Sequence, residues 1–251
     1  MSADKKLTML LLGVYGMEVV ECGGVLAKNV LSGGKSYASI MLSREETRSQ
    51  VLEAAATLQV EMYFPEFVSG EVQVDGPSKK KIIRIIRETK PDIIITQDPE
   101  HSYHDLDPDR RLAMLLILES IALAGRDYAL AEMEGLSPHP VPTIYYMTPE
   151  KPNCIVDIAD VWDLKERAMD KLAAQMAFSG QHYRHYYSED HLKFIVPNWS
   201  ELKDDYARGR EMHRQLDRVV HMSQGAASHS HFAVAESYRR QGLFQLNNLV
   251  E

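Results

Sequence analysis

Only two cysteines stand in the 251 residues, Cys22 and Cys154. So few exclude a disulfide framework and a zinc–thiolate site, and they suit a reducing, cytoplasmic setting. Long apolar runs are missing as well. No stretch approaches the roughly 20 residues that span a bilayer, and the apolar segment after Lys6 is too short for a secretion signal. Positive charge is in deficit: 28 Lys and Arg face 36 Asp and Glu, for a net charge of −8. That balance argues against nucleic acid or an anionic membrane as partner. The densest basic cluster, Lys79-Lys80-Lys81 with Arg84 and Arg87, reads as the solvated face of a helix. Repeats, low-complexity tracts and disordered linkers are also lacking, so one domain over 1–251 is expected, with 179–251 as a C-terminal extension packed on it.

What is present has the composition of an ordinary globular chain, 45% hydrophobic and 25% charged. Strand-like and helix-like stretches alternate. Apolar Met9–Gly13 is followed by a helix opening at Gly23-Gly24, and Ser36–Leu42 by a helix over Arg44–Leu58. A third helix carries Ile82, Ile83, Ile85 and Ile86 on one face, ahead of the wholly apolar strand Ile93–Thr96. After a polar loop, Gln97–Arg111, come an apolar helix to Ala124, strands at Thr143–Met147 and Asn153–Ile158, and one helix over Val161–Phe178. Such alternation predicts an α/β fold with a doubly wound, largely parallel sheet.

The stretch from Leu10 to Lys28, LLLGVYGMEVVECGGVLAK, joins a buried strand to a short turn and then to Cys22-Gly23-Gly24. Open α/β sheets place their ligands at such carboxyl-edge turns. Further along stand Ser43-Arg44-Glu45-Glu46 with Arg48, Lys90-Pro91-Asp92-Ile93-Ile94-Ile95-Thr96, Asp107-Pro108-Asp109-Arg110-Arg111 and Ala235-Glu236-Ser237-Tyr238-Arg239. In this order, over nearly the whole chain, these pieces resemble the LmbE/PIG-L family of metal-dependent N-deacetylases. The family's counterparts are A-H-P-D-D ahead of C-G-G, T-x-G-E with R-x-x-E, K-P-D-x-V-x-T, H-P-D-H-R and A-E-A-F-R. The resemblance implies a Rossmann-like, largely parallel sheet flanked by helices, hydrolase (N-deacetylase or amidase) ancestry, a small polar substrate and a homo-oligomer.

The family's site chemistry does not carry over residue by residue. In the family a His and the second Asp of the first motif, with the last His of H-P-D-H, hold zinc. The first Asp is the base and the other His steadies the oxyanion. Those positions here are Val14, Met17, Arg110, Gly16 and Asp107. Valine offers no donor atom, a thioether suits soft ions, and a guanidinium is cationic at any working pH. An inherited zinc site is therefore not expected. A divalent ion could be rebuilt on Glu18, His101 and His104, since imidazole and carboxylate are ordinary ligands.

A metal-free site would draw on the same loops. Arg48 and Arg110 could hold a substrate carboxylate or phosphate, with Glu46 and His104 as acid and base. Asp107 and Asp109, matching the second motif, complete the catalytic candidates. Arg110 would put a fixed positive charge where the family has its ion. Three functions follow: a C–N hydrolase acting on a sugar-like or acidic substrate, a hydratase acting on an unsaturated acid (like 4-oxalomesaconate hydratase), or a binding protein that has kept the pocket without the reaction. The His182–Tyr187 run, with its alternating imidazole and phenol rings, suits a helix end lying on the core or a pocket wall, and Cys22 reads as a packed small residue.

Overall fold

The structure, a computed structural model, describes residues 6–243. In chain order its regular elements are β1 (Thr8–Tyr15), α1 (Glu18–Glu21), α2 (Gly23–Leu31), β2 (Lys35–Leu42), α3 (Glu45–Thr57), β3 (Glu61–Tyr63), α4 (Gly76–Thr89) and β4 (Ile93–Gln97). Then follow α5 (Pro99–His104), α6 (Pro108–Ala124), β5 (Thr143–Met147), β6 (Cys154–Asp157), α7 (Trp162–Met169), α8 (Ala173–Tyr186), α9 (Glu189–Ile195), α10 (Asp205–Gln224) and β7 (Ala235–Arg240). The strands form one sheet in the order β3-β2-β1-β4-β5-β7-β6.

β1 lies inside the sheet, pairing in parallel with β2 (Leu11 opposite Ala38) and β4 (Leu11 opposite Ile95). Alternation along β1 divides the core. Leu11 faces a layer with Val19, Leu26, Ala54, Ala55 and Ala168, from α1, α2, α3 and α7. Leu10, Leu12 and Val14 face Ile82, Ile83, Ile86, Leu116 and Ile117 on α4 and α6. Being buried on both faces, β1 and β4 read as unbroken apolar runs. A mostly parallel sheet flanked by helices is thus what the alternating pattern produced. Among the described residues, no helix is long and apolar enough to cross a membrane.

Two expectations need correction. Arg87 does not belong to a solvated face: its side chain is fully buried, and its guanidinium donates to the carbonyls of Ala124 (3.2 Å) and Arg126 (2.7 Å). The first ends α6 and the second lies two residues beyond it, where helices leave acceptors unfilled. The predicted helix over Val161–Phe178 is two helices, α7 and α8. Both ends of Asp170 at the break are taken by α10: Arg210 binds its carboxylate and the Tyr206 hydroxyl its carbonyl, at 3.1 Å. The stretch 235–240, within the expected C-terminal extension, forms β7. β7 lies between β5 and β6, antiparallel to both, with Tyr146 opposite Arg239 and Val156 opposite Glu236.

The His182–Tyr187 run closes α8, where Tyr183 lies edge-on to His213 of α10 (6.3 Å between ring centres). α8 and α10 cross at Gly180 and Gly209, so tightly that a Cβ on Gly209 would strike the Met176 carbonyl. Gly209→Ala should therefore destabilise the fold by about 1–3 kcal/mol through overpacking. Urea denaturation would measure this, and an unchanged midpoint would contradict the crossing.

Candidate active site

The carboxyl edge of β1 and β4 holds the cluster. Gly13 in β1 and Gly16 just after it admit close neighbours: an added Cβ would come within 2.7 Å of Glu18 Oε2 and 2.5 Å of Val51, respectively. The Glu18 side chain folds back under this turn, 1% exposed, and Oε2 accepts the Val14 N–H at 2.7 Å. Its other oxygen meets Arg110 Nη1 at 3.0 Å, and Arg110 Nε lies 3.6 Å from Asp105. The guanidinium is also 5.0 Å from the centre of the Tyr15 ring, while the Tyr15 hydroxyl donates to Asp107 Oδ2 at 2.6 Å. Asp107 caps α6 through the Asp109 N–H (2.9 Å), and the Gln97 amide donates to the Arg110 carbonyl (2.8 Å).

Electrostatics follow from burial. Desolvation outweighs the attraction of Arg110 and pushes the Glu18 carboxyl up to about 7. Burial, reinforced by Asp107, raises the Tyr15 phenol, so Tyr15 stays a donor. Glu21, on the same short helix, is also raised, first by burial, with Asp217 of α10 adding to the rise.

A second layer fixes these parts. Lys165 and Glu236 form an almost fully buried ion pair at 2.7 Å. Lys165 Nζ donates to the carbonyls of Val20 (2.8 Å) and Glu21 (2.5 Å), which end α1. Glu236 accepts the N–H groups of Gly24 (2.8 Å) and Val25 (3.0 Å), which begin α2, and the Tyr238 hydroxyl at 2.8 Å. The pair therefore holds both sides of the break at Cys22. Beside it, fully buried Asp98 takes Arg239 through two bonds (2.8 and 2.6 Å) and caps α5 through the Glu100 N–H at 2.8 Å.

Each predicted residue has a definite place. Glu18, Asp107 and Arg110 come together. Asp109 turns away and accepts the Gly70 N–H (2.7 Å) and the Ser69 hydroxyl (3.1 Å), an anchoring role for that loop. Arg48 lies over the Phe64 ring (4.8 Å) and 3.4 Å from exposed Glu66, and Glu46 is exposed in the first turn of α3. His101 and His104 are exposed on α5. The rebuilt trio of Glu18, His101 and His104 is not assembled: among the described residues no three His, Cys, Asp or Glu side chains are grouped so as to hold a metal ion. Nor does the donor set fit zinc at the inherited positions, where Val14 is buried without a donor and Arg110 sets its own cation against Glu18. Sequence inspection missed Lys165, Asp98 and Tyr15. Lys165, in the polar stretch WDLKER, carries no local signal.

No protein-family model matches the chain. The diacetylchitobiose deacetylase of Thermococcus kodakarensis is 32% identical over 106 residues, which cover 41% of this chain and 39% of that protein. The match thus spans about two fifths of the curated relative's length. The N,N'-diacetylchitobiose deacetylase of Pyrococcus horikoshii, solved with an inhibitor, superposes with a TM-score of 0.66 at 21% identity, over 93% of this chain and 83% of that one. The fold is LmbE/PIG-L-like. The same fold is shared with the 4-carboxy-2-hydroxymuconate hydratase of Pseudomonas putida, at a TM-score of 0.67 and 16% identity, over 97% and 99% of the two chains. An LmbE/PIG-L-like scaffold thus occurs with both reactions, and the side chains at its carboxyl edge have to separate them.

Proposed function

We propose that this LmbE/PIG-L-like chain is a hydrolase of the deacetylase type, cleaving an acyl amide of a neutral, sugar-like substrate at this edge. The observation that carries the proposal is the Arg110 guanidinium, held by Glu18 at 3.0 Å and by Asp105 at 3.6 Å. A charge fixed in advance stabilises the oxyanion that forms when water adds to an amide carbonyl. Here it takes the part that the resemblance gives to the ion. Asp107, half-buried and bonded to Tyr15, takes a proton from the attacking water and returns it to the amine nitrogen as the C–N bond breaks. Glu18, sealed from solvent, acts only through Arg110.

The charges favour a neutral substrate. Arg110 is matched by Glu18 and Asp105, and Arg239 by Asp98. Both guanidiniums are already engaged by carboxylates, which counts against their serving as the carboxylate clamp that an unsaturated acid would use.

Acetate release from N-acetylglucosamine and diacetylchitobiose tests the proposal. The purified protein should turn over at least one of them, and Arg110→Ala should lower kcat/KM by about 10²–10³. Undiminished turnover in that variant, or no acetate from either sugar, would overturn it. Hydration of an unsaturated dicarboxylate, followed by loss of ultraviolet absorbance, would move the chain to the hydratase class.

A further inference from the structure

Beside the Arg110 cluster lies an open cavity of ≈ 470 Å³, lined by Pro99, Glu100, Tyr103 and His104 of α5 and by Glu150 and Lys151 from the turn after β5. Its volume falls within the range of small-molecule sites. The cavity and the cluster are joined through the chain, since His104 lines the one while the next residue, Asp105, holds Arg110. Its aromatic wall is the Tyr103 ring, 69% exposed and set edge-on to His104 at 5.2 Å.

The wall is built on a rigid base. Asp98, beneath the first turn of α5, is fully buried, fixed by two bonds from Arg239, and caps the Glu100 N–H. Anchoring of this kind lowers the ordering cost when a ligand settles. Two polar groups around the ring are also uncommitted. No hydrogen bond or ion pair within the described residues engages the side chains of Glu150 or Lys151, whereas Glu100 adds to the negative charge around Arg239, and Arg110 and Arg239 are already paired.

We propose that this cavity is the sugar-recognition subsite. The Tyr103 ring lies against the apolar C–H face of a pyranose, Glu150 accepts from its hydroxyls, and Lys151 donates to a hydroxyl or acetyl oxygen. Two carboxylates stand against one lysine in the lining of the cavity. It therefore takes neutral N-acetyl sugars and, more tightly, the cationic amino sugars that deacetylation releases, and it rejects acids. The choice of sugar rests on the deacetylase proposal, but binding is read without turnover.

Saturation-transfer NMR on the full chain, with diacetylchitobiose, glucosamine and glucuronate as probes, tests the subsite. The first two should bind, the third should not, and Tyr103→Ala should weaken binding by roughly tenfold. Glu150→Gln should weaken glucosamine more than diacetylchitobiose. Phe178→Ala, which removes an exposed ring on α8, should change neither and serves as the control for general surface effects. The subsite is overturned by sugar binding that Tyr103→Ala leaves unchanged, by preferred binding of glucuronate, or by no sugar binding at all. Sugars that bind through Tyr103 without releasing acetate would sink the hydrolase proposal and leave the subsite standing. Acetate release that Tyr103→Ala leaves untouched would do the reverse.

Discussion

Lys165→Met is expected to lower the free energy of unfolding by about 3–5 kcal/mol, because it strands a buried carboxylate. Glu236 is 3% exposed and, among the described residues, has no other cation as a hydrogen-bond partner, only the Gly24 and Val25 N–H groups and the Tyr238 hydroxyl. The lysine side has its own loss, since the terminal carbonyls of α1 at Val20 and Glu21 forfeit their donor. Removing both charges together should recover part of the loss, as Glu236→Gln keeps an acceptor for α2 without a stranded ion. Urea titration of the two single variants and the double variant makes a mutant cycle. A double variant no more stable than the sum of the singles would mean that the pair is not coupled.

The second large effect depends on pH. The folded-state Glu18 value of about 7 lies above the ordinary 4.5, so between these two values the folded chain holds a proton that the unfolded chain releases. Stability from this group is therefore fully present below about 4.5 and falls as pH rises, until it is lost above about 7. The difference amounts to about 3 kcal/mol. Burial raises Glu21 and Asp217 in the same direction, so the raw profile mixes several groups. Glu18→Gln separates them. Across pH 4.5–7.5 the parent protein should lose about 3 kcal/mol more than the variant, measured by urea midpoints at each pH. Parallel profiles would show that Glu18 ionises like an exposed acid.

Much of the scaffold was legible because its signals are local. Ile93–Thr96 and Leu10–Val14 are apolar without interruption, and α4 shows its isoleucines at helical spacing. Charged residues with distant partners were not legible. Arg87 answers carbonyls 37 and 39 residues away, and Lys165 joins Glu236 across 71 positions and Val20 across 145. Nothing in RIIRET or WDLKER tells a snorkelling cation from a buried one. β7 was hidden for a related reason: AESYRR carries three charges, and it becomes a strand because β5 and β6 supply ladders on both sides. At the site, the meeting of the first turn with the second loop could be read from the sequence. That Arg110 would be clamped by Glu18 rather than left open to a ligand could not, because burial of Glu18 depends on how both loops fold together.

The position of β7 also bears on how the chain is made. It is the last of the described strands to be synthesised, yet it fills an interior place in the sheet. Until it arrives, β5 presents an open edge and β6 has no neighbour, so closure of the sheet waits for residues far from the start of the chain. Such late, long-range pairing slows folding and leaves strand edges exposed in the meantime. The same insertion carries Glu236 to Lys165 and Arg239 to Asp98, so the α1–α2 break and the cap of α5 are locked in one step. A nascent chain would hold the elements of its carboxyl edge well before it could fix them in place.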